Sequence, residues 1–104
     1  MTEQDIQNQI RAAVFPYCVI FRVNVGTGRT ADGRYFQTGV PPGFSDLFGV
    51  RRSDGRAVFI EVKKPGGRVS SKQQHFIQEM KKNGAIAGIC RSAEEAVALV
   101  RRDY

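Results

Sequence analysis

The 104 residues are enough for one packed domain and too few for two, and the apolar share is that of an ordinary globular chain. Sixteen Lys and Arg against ten Asp and Glu give a net charge of +6, which favours a polyanionic partner. The cations come as pairs at Arg51-Arg52, Lys63-Lys64, Lys81-Lys82 and Arg101-Arg102, which excludes a polybasic arm, and no apolar run approaches the roughly 20 residues of a membrane span.

Thr2-Glu3-Gln4-Asp5 opens the first predicted helix, with Thr2 as N-cap, acids in the first turn and Ile6, Ile10 and Val14 as its apolar stripe. Pro16 ends it. Residues 17–25, dense in β-branched and aromatic side chains, predict a strand in the sheet interior. Residues 26–43 then carry five glycines, two prolines and many polar side chains, which predicts a long flexible loop interrupted at most by a short strand at Tyr35-Phe36. Arg29, Arg34 and Tyr35 on it are side chains suited to phosphates and bases.

Gly43 to Gly49 and Phe59 to Lys63 read as two strands joined at the turn signal Ser53-Asp54-Gly55. After Pro65-Gly66-Gly67, Ser70 with Gln73 forms a capping box at the start of a second helix, whose buried side is Phe76, Ile77 and Met80 and whose stop is Gly84. Residues 85–90 form a short buried strand, and Ser92 with Glu95 opens a terminal helix. Cys18 and Cys90 have no metal-ligand spacing and read as buried hydrophobes. The order αβββαβα gives a mixed sheet flanked by helices, an α/β or α+β sandwich.

The chemistry-bearing set is Asp46, Glu61 and Lys63. Strand alternation sends Glu61 and Lys63 to one face and Val58, Ile60 and Val62 to the other, and Asp46 near the end of the neighbouring strand brings a second carboxylate to them. Two hard oxygen ligands beside an amine suit Mg²⁺ and a phosphate substrate. Each residue also has a plainer reading: Asp46 as a strand-end residue, Glu61 and Lys63 as a surface ion pair, Gln73 as a cap, Glu3 as a first-turn acid. His75, the one histidine, is given no chemistry.

Taken together, Glu3-x-Asp5-Ile6-Gln7-x-x-Ile10, Phe21-Arg22-x-Asn24, Gly43-x-Ser45-Asp46-Leu47-x-Gly49, Phe59-Ile60-Glu61-Val62-Lys63, Gly67-Arg68-Val69-Ser70-x-x-Gln73 and Ser92-x-Glu94-Glu95 resemble a VRR-NUC domain of the PD-(D/E)XK nuclease superfamily, in order and over nearly the whole chain. The resemblance implies one nuclease domain over residues 1–104 with a restriction-endonuclease-like core. It implies Mg²⁺ or Mn²⁺ held by Asp46, Glu61 and the main-chain carbonyl of Val62, with Lys63 as catalytic lysine and Gln73 and Glu3 as further catalytic residues. Ser45 stands where the superfamily motif has proline, a departure expected to affect local backbone shape only.

The implied activity is metal-dependent, structure-selective cleavage of DNA, Holliday-junction resolution being one form of it, with Lys64, Arg68 and Lys72 as further DNA contacts. Stand-alone phage and bacterial members further imply a homodimer; the two buried-type cysteines and the lack of a secretory or spanning apolar segment place it, as an expectation, in the bacterial or phage-infected host cytoplasm with no membrane partner. An apolar surplus at Val14, Phe15, Phe36 and Phe48 is the sequence argument for the dimer. The alternative is a non-catalytic nucleic-acid-binding module that keeps the fold, whose mark would be salt-dependent binding without cleavage.

Overall fold

The structure, a computed structural model, describes residues 1–24, 27–37 and 39–103. In chain order the elements are α1 (Glu3–Val14), β1 (Cys18–Arg22), β2 (Thr27–Arg29), β3 (Tyr35–Gln37), β4 (Leu47–Arg51), β5 (Ala57–Val62), α2 (Ser71–Lys82), β6 (Ile86–Cys90) and α3 (Ala93–Arg101). The main sheet has the order β1-β4-β5-β6. Its first three strands are antiparallel, and β6 returns parallel to β5 after the α2 crossover. This is a mixed sheet flanked by helices, an α+β architecture consistent with a PD-(D/E)XK core.

Each helix starts where its cap residue dictates. The Thr2 hydroxyl accepts from the Asp5 N–H and the Asp5 carboxylate accepts from the Thr2 N–H, a reciprocal box. Ser70 and Gln73 repeat that arrangement at α2. At α3 the box is only half closed: Ser92 accepts from the Glu95 N–H, but the Glu95 carboxylate reaches back to the Arg91 N–H. Replacing Ser70 by alanine removes one such acceptor and is expected to cost about 1 kcal/mol, read as a lowered urea midpoint at unchanged slope.

The apolar stripes decide the layers. Ile6, Ile10 and Val14 of α1 and Ala96, Leu99 and Val100 of α3 bury against Cys18, Leu47, Val58, Ile60, Val62, Ile86 and Cys90 on one face of the sheet. On the other face α2 packs over β5 and β6, where Ile77, with Phe76 and Met80 beside it, meets Phe59 and Ala87. Strand β5 is thus covered on both sides, as its near-continuous apolar run requires. Both cysteines are buried and free, and burial pushes the Cys90 thiol up to about 12.

Three expectations need correction. Strand β1 is an edge strand, not an interior one: Cys18 faces the core, but Val19 and Phe21 lie open on the face that α2 leaves bare. The stretch expected to be a loop with at most a short strand at Tyr35-Phe36 does hold that strand, β3, but pairs it antiparallel with a second, β2, in a hairpin closed by the Thr30–Arg34 turn and forming a two-stranded sheet of its own. Val25, Gly26 and Thr38, part of the first strand and loop as predicted, lie outside the described residues. Third, Val14 is fully buried and supplies no surplus for a dimer. Phe15, over which the Arg52 guanidinium lies at 5.0 Å, and Phe48 stay exposed, at 68% and 36%; the Phe36 side chain lies outside the described set.

The basic turn 51–56 is built into the fold. Arg51 pairs with Asp54 and also donates to the Val100 and Arg102 carbonyls, fastening the end of α3. Arg52 donates to the Phe15 carbonyl. This cationic pair therefore serves structure at the end of β4 remote from Asp46.

Candidate active site

The β4–β5 ladder pairs Leu47 with Ile60, so one step further along it Asp46 stands opposite Glu61. The chain is held at that step from both sides. The Val23 N–H donates to the Asp46 carbonyl at 2.8 Å, extending the β1–β4 pairing, and the Val62 N–H donates to Asp46 Oδ2 at 2.9 Å. Ser45, fully buried, donates its hydroxyl to the Leu47 carbonyl at 2.9 Å, which tightens the entry into β4 where the superfamily motif has proline. Just before it, Gly43 has φ +92° and sits so close to α2 that a Cβ would lie 2.8 Å from the Lys72 carbonyl oxygen. Only glycine lets this segment lie against α2.

Glu61 is almost wholly buried, with 2% of its surface exposed. Its Oε1 accepts from Gln73 Nε2 at 3.1 Å, while its Oε2 has no hydrogen-bond donor among the described residues. Burial first, then the Asp46 carboxylate, push the Glu61 carboxyl up to about 8; Lys63 pulls the other way, and Glu3 adds a smaller push. Two facing carboxyl groups in a buried setting need a positive species between them, a proton or a cation.

That orphaned oxygen and the hard-oxygen donor set fit a divalent ion such as Mg²⁺, which accepts few protein ligands and keeps several waters. Among the described residues no group of three His, Cys, Asp or Glu side chains forms a metal-binding cluster, so the side-chain donors here are two.

Gln73 makes two hydrogen bonds at once. Its Oε1 accepts from the Ser70 N–H at 3.0 Å to close the capping box, while its Nε2 holds Glu61. Glu3 is exposed in the first turn of α1 and, with Gln7, Arg22, Asn24 and Asp46, lines a cavity of about 340 Å³. Lys63 is half-buried, directly after Val62, and its N–H donates to the Cys90 carbonyl at 3.1 Å.

Lys64, Arg68 and Lys72 are exposed on the turn and helix start that follow Lys63. Arg91 braces that turn by donating to the Lys64 and Gly67 carbonyls. Arg29, Arg34 and Tyr35 sit on the separate hairpin, all exposed, with Arg34 already paired to Asp32 at 3.0 Å. His75 is exposed on α2 beside Pro41 and Phe76, away from the two carboxylates.

Sequence reasoning gave no role to Gln7 and Arg22, both of which border the same cavity as Asp46. The available signal was spacing: Gln7 is one helical turn beyond Glu3 on the same face, and it is a buried polar residue between the stripe positions Ile6 and Ile10.

The VRR-NUC domain model matches residues 1–94, a span that includes both carboxylates, the lysine and the whole of α1 and α2. The chain belongs to the VRR-NUC family. VRR-NUC domains are nuclease domains of PD-(D/E)XK type, so this VRR-NUC chain is of nuclease type and its substrate is a nucleic acid. No curated protein matches it. Among the described residues of this VRR-NUC protein no helix is long and apolar enough to cross a membrane.

Proposed function

We propose that the protein is a divalent-metal-dependent DNA endonuclease that selects branched or junction DNA by structure. The observation that carries this reading is the opposition of Asp46 and Glu61 across the β4–β5 ladder with Glu61 Oε2 buried and without a donor. Asp46 and Glu61, with the main-chain carbonyl of Val62, would hold Mg²⁺ or Mn²⁺. When bound, such an ion lowers the pKa of a water and offsets charge on a phosphate oxygen.

The chain's own groups do the remaining work. The Val62 N–H and Gln73 Nε2 each fix one oxygen of a carboxylate, so neither side chain has to reorganise when charge develops. Lys63 places an ammonium beside Glu61, where the attacking water and the phosphorane charge are to be stabilised. Water oxygen adds to phosphorus as the bond to the leaving sugar oxygen breaks, giving a phosphate monoester and a hydroxyl. Glu3, Gln7 and Arg22 border the cavity beside Asp46 and would frame the approach of the strand. Exposed Lys64, Arg68 and Lys72, and Arg29, Arg34 and Tyr35 on the hairpin, would contact the phosphate backbone, which positions DNA without reading its sequence.

Symmetric cutting of a junction needs two copies of this site, and we infer a homodimer for that purpose; light scattering at micromolar concentration checks it, and a monomer removes the paired-cut part of the proposal. The reading as a whole is tested with labelled four-way junction, flap, duplex and single-stranded DNA in Mg²⁺, Mn²⁺ or EDTA. Wild type is expected to cut the junction only with metal, and Lys63→Ala to lose about 100-fold or more in rate. Equal binding by both proteins with no cutting in any metal would leave a non-catalytic binding module in its place.

A further inference from the structure

Among the described residues, nothing covers half of one sheet face. Helix α2 lies over β5 and β6, while on the same face the β1–β4 half presents Val19, Phe21, Phe48 and Val50, at 37%, 58%, 36% and 40% exposure. These four are two cross-strand pairs, Val19 with Val50 and Phe21 with Phe48, and partners opposite one another point the same way. The surface continues inward: Phe48 stacks on Phe59 at 4.9 Å, and Phe44 meets Phe48 at 6.1 Å and Phe76 at 4.7 Å. Beyond Phe76 it opens into a largely apolar hollow between the Pro41-Pro42 segment and α2, rimmed by Lys72, His75 and Glu79.

The strip is joined to the active site by register. The pair Phe21–Phe48 is followed by Arg22–Leu47, and the next step holds Asp46 through the Val23 N–H. Phe48 is thus two residues from Asp46, about 7 Å at the rise of an extended strand. A phosphodiester placed at Asp46 and Glu61 brings its flanking nucleotides to the rim of this aromatic surface.

We propose that the bare face, with Phe21 of the edge strand as its most exposed side chain and Phe48 beside it, is a stacking platform for an unpaired nucleobase next to the scissile phosphate. Bases offer a flat π-face to an aromatic side chain whatever their identity, and a sheet presenting aromatic residues is a ready platform for them. In duplex DNA, and in the paired arms of a four-way junction, those faces are already stacked, so the platform adds affinity only for branched DNA, such as a fork or flap, that has unpaired nucleotides beside the cut. This deepens the nuclease reading, on which it rests, by naming a feature that favours forks and flaps among the branched substrates. Position favours a nucleic acid over a second copy on this face: the strip begins at Phe48, two residues from Asp46 where the proposed substrate lies, and the chain's charge of +6 suits a polyanion.

The test is binding in EDTA, by fluorescence anisotropy, to a blunt duplex, a forked duplex with unpaired arms, and the same fork with abasic sites in its arms. The abasic fork keeps every phosphate and removes the bases. Wild type is expected to bind the intact fork about 10-fold tighter than the abasic fork, as one stacked base provides. Phe21→Ala is expected to bring the two within about twofold while leaving blunt-duplex affinity unchanged, and Phe21→Trp to restore the preference. Base-dependent binding with no cleavage in any metal would keep the platform and end the nuclease reading. Equal binding of intact and abasic forks by wild type overturns the platform. So does a Phe21→Ala protein that keeps the wild-type preference, or one that changes oligomeric state by light scattering, which would give the face to a second copy.

Discussion

Replacing Glu61 by glutamine is expected to lower metal-dependent cleavage by about 10³-fold or more while making the metal-free protein more stable above neutral pH. The two effects share one cause. Glu61 is buried against Asp46, and its carboxyl is pushed from an ordinary 4.5 up to about 8. A carboxyl whose folded value lies above its unfolded one favours the fold in its protonated form. That stabilisation is complete below about pH 4.5 and is lost as pH rises through about 8, an interval worth on the order of 5 kcal/mol.

Asp54, held down to about 2 by Arg51, has the opposite sign but acts only in acid below that window. Glutamine imitates the protonated form: its carbonyl still accepts from Gln73, and its amide supplies a donor toward Asp46. Thermal melts in EDTA should therefore show wild-type stability falling from pH 5 to 8 and Glu61→Gln nearly level. Mg²⁺ at pH 8 should raise the wild-type midpoint and leave the variant's unchanged. Wild-type stability that climbs with pH over this interval, in the absence of metal, would contradict the account.

The largest loss of stability is expected from Gly49→Ala. A Cβ at this position would lie 1.8 Å from the Val19 carbonyl oxygen and 2.8 Å from its carbon, both main-chain atoms of β1. No rotamer change relieves a backbone contact, so β1 must unpair or the strands must part. Gly49 sits opposite Ile20 in mid-ladder, and the same ladder ends on the Val23 hydrogen bond to Asp46. The cost is about 3 kcal/mol or more, and the site is deformed with the sheet. Gly88→Ala provides the contrast, because the atoms nearest its Cβ would belong to the Leu99 side chain, 3.0 Å away, which can give. Urea unfolding should place Gly88→Ala about 1 kcal/mol below wild type, with Gly49→Ala far lower or unfolded. Equal midpoints for Gly49→Ala and wild type would refute the close approach.

Asp46, Glu61 and Lys63 were legible in the sequence because strand periodicity and one short turn fix their relative places; a register of Leu47 with Ile60 follows from little more than the length of the 51–56 turn. Helix starts were legible for a similar reason, since a cap is a local bargain between a side chain and the next turn. The burial of β1 was not. Cys18, Ile20 and Val19, Phe21 are apolar on both faces, the pattern of a central strand, and nothing local states that α2 ends its cover at β5. The β2–β3 hairpin was hidden by its composition, because glycine, threonine and arginine carry no alternating apolar signal. Gln7 and Arg22 depended on packing between α1 and the sheet end, a contact no single segment encodes.

Gln73 carries a consequence for what this position tolerates. A capping box accepts glutamate as readily as glutamine, and viewed from α2 alone the two are interchangeable. Here the second arm of the amide must donate to Glu61, and a carboxylate has nothing to donate. Glutamate at 73 would preserve the helix start and set a third negative charge against a buried acid that already lacks a donor. The position is under two independent demands, one from folding and one from the site, and among the twenty side chains glutamine meets both: the first turn of α2 cannot fray without also letting go of Glu61.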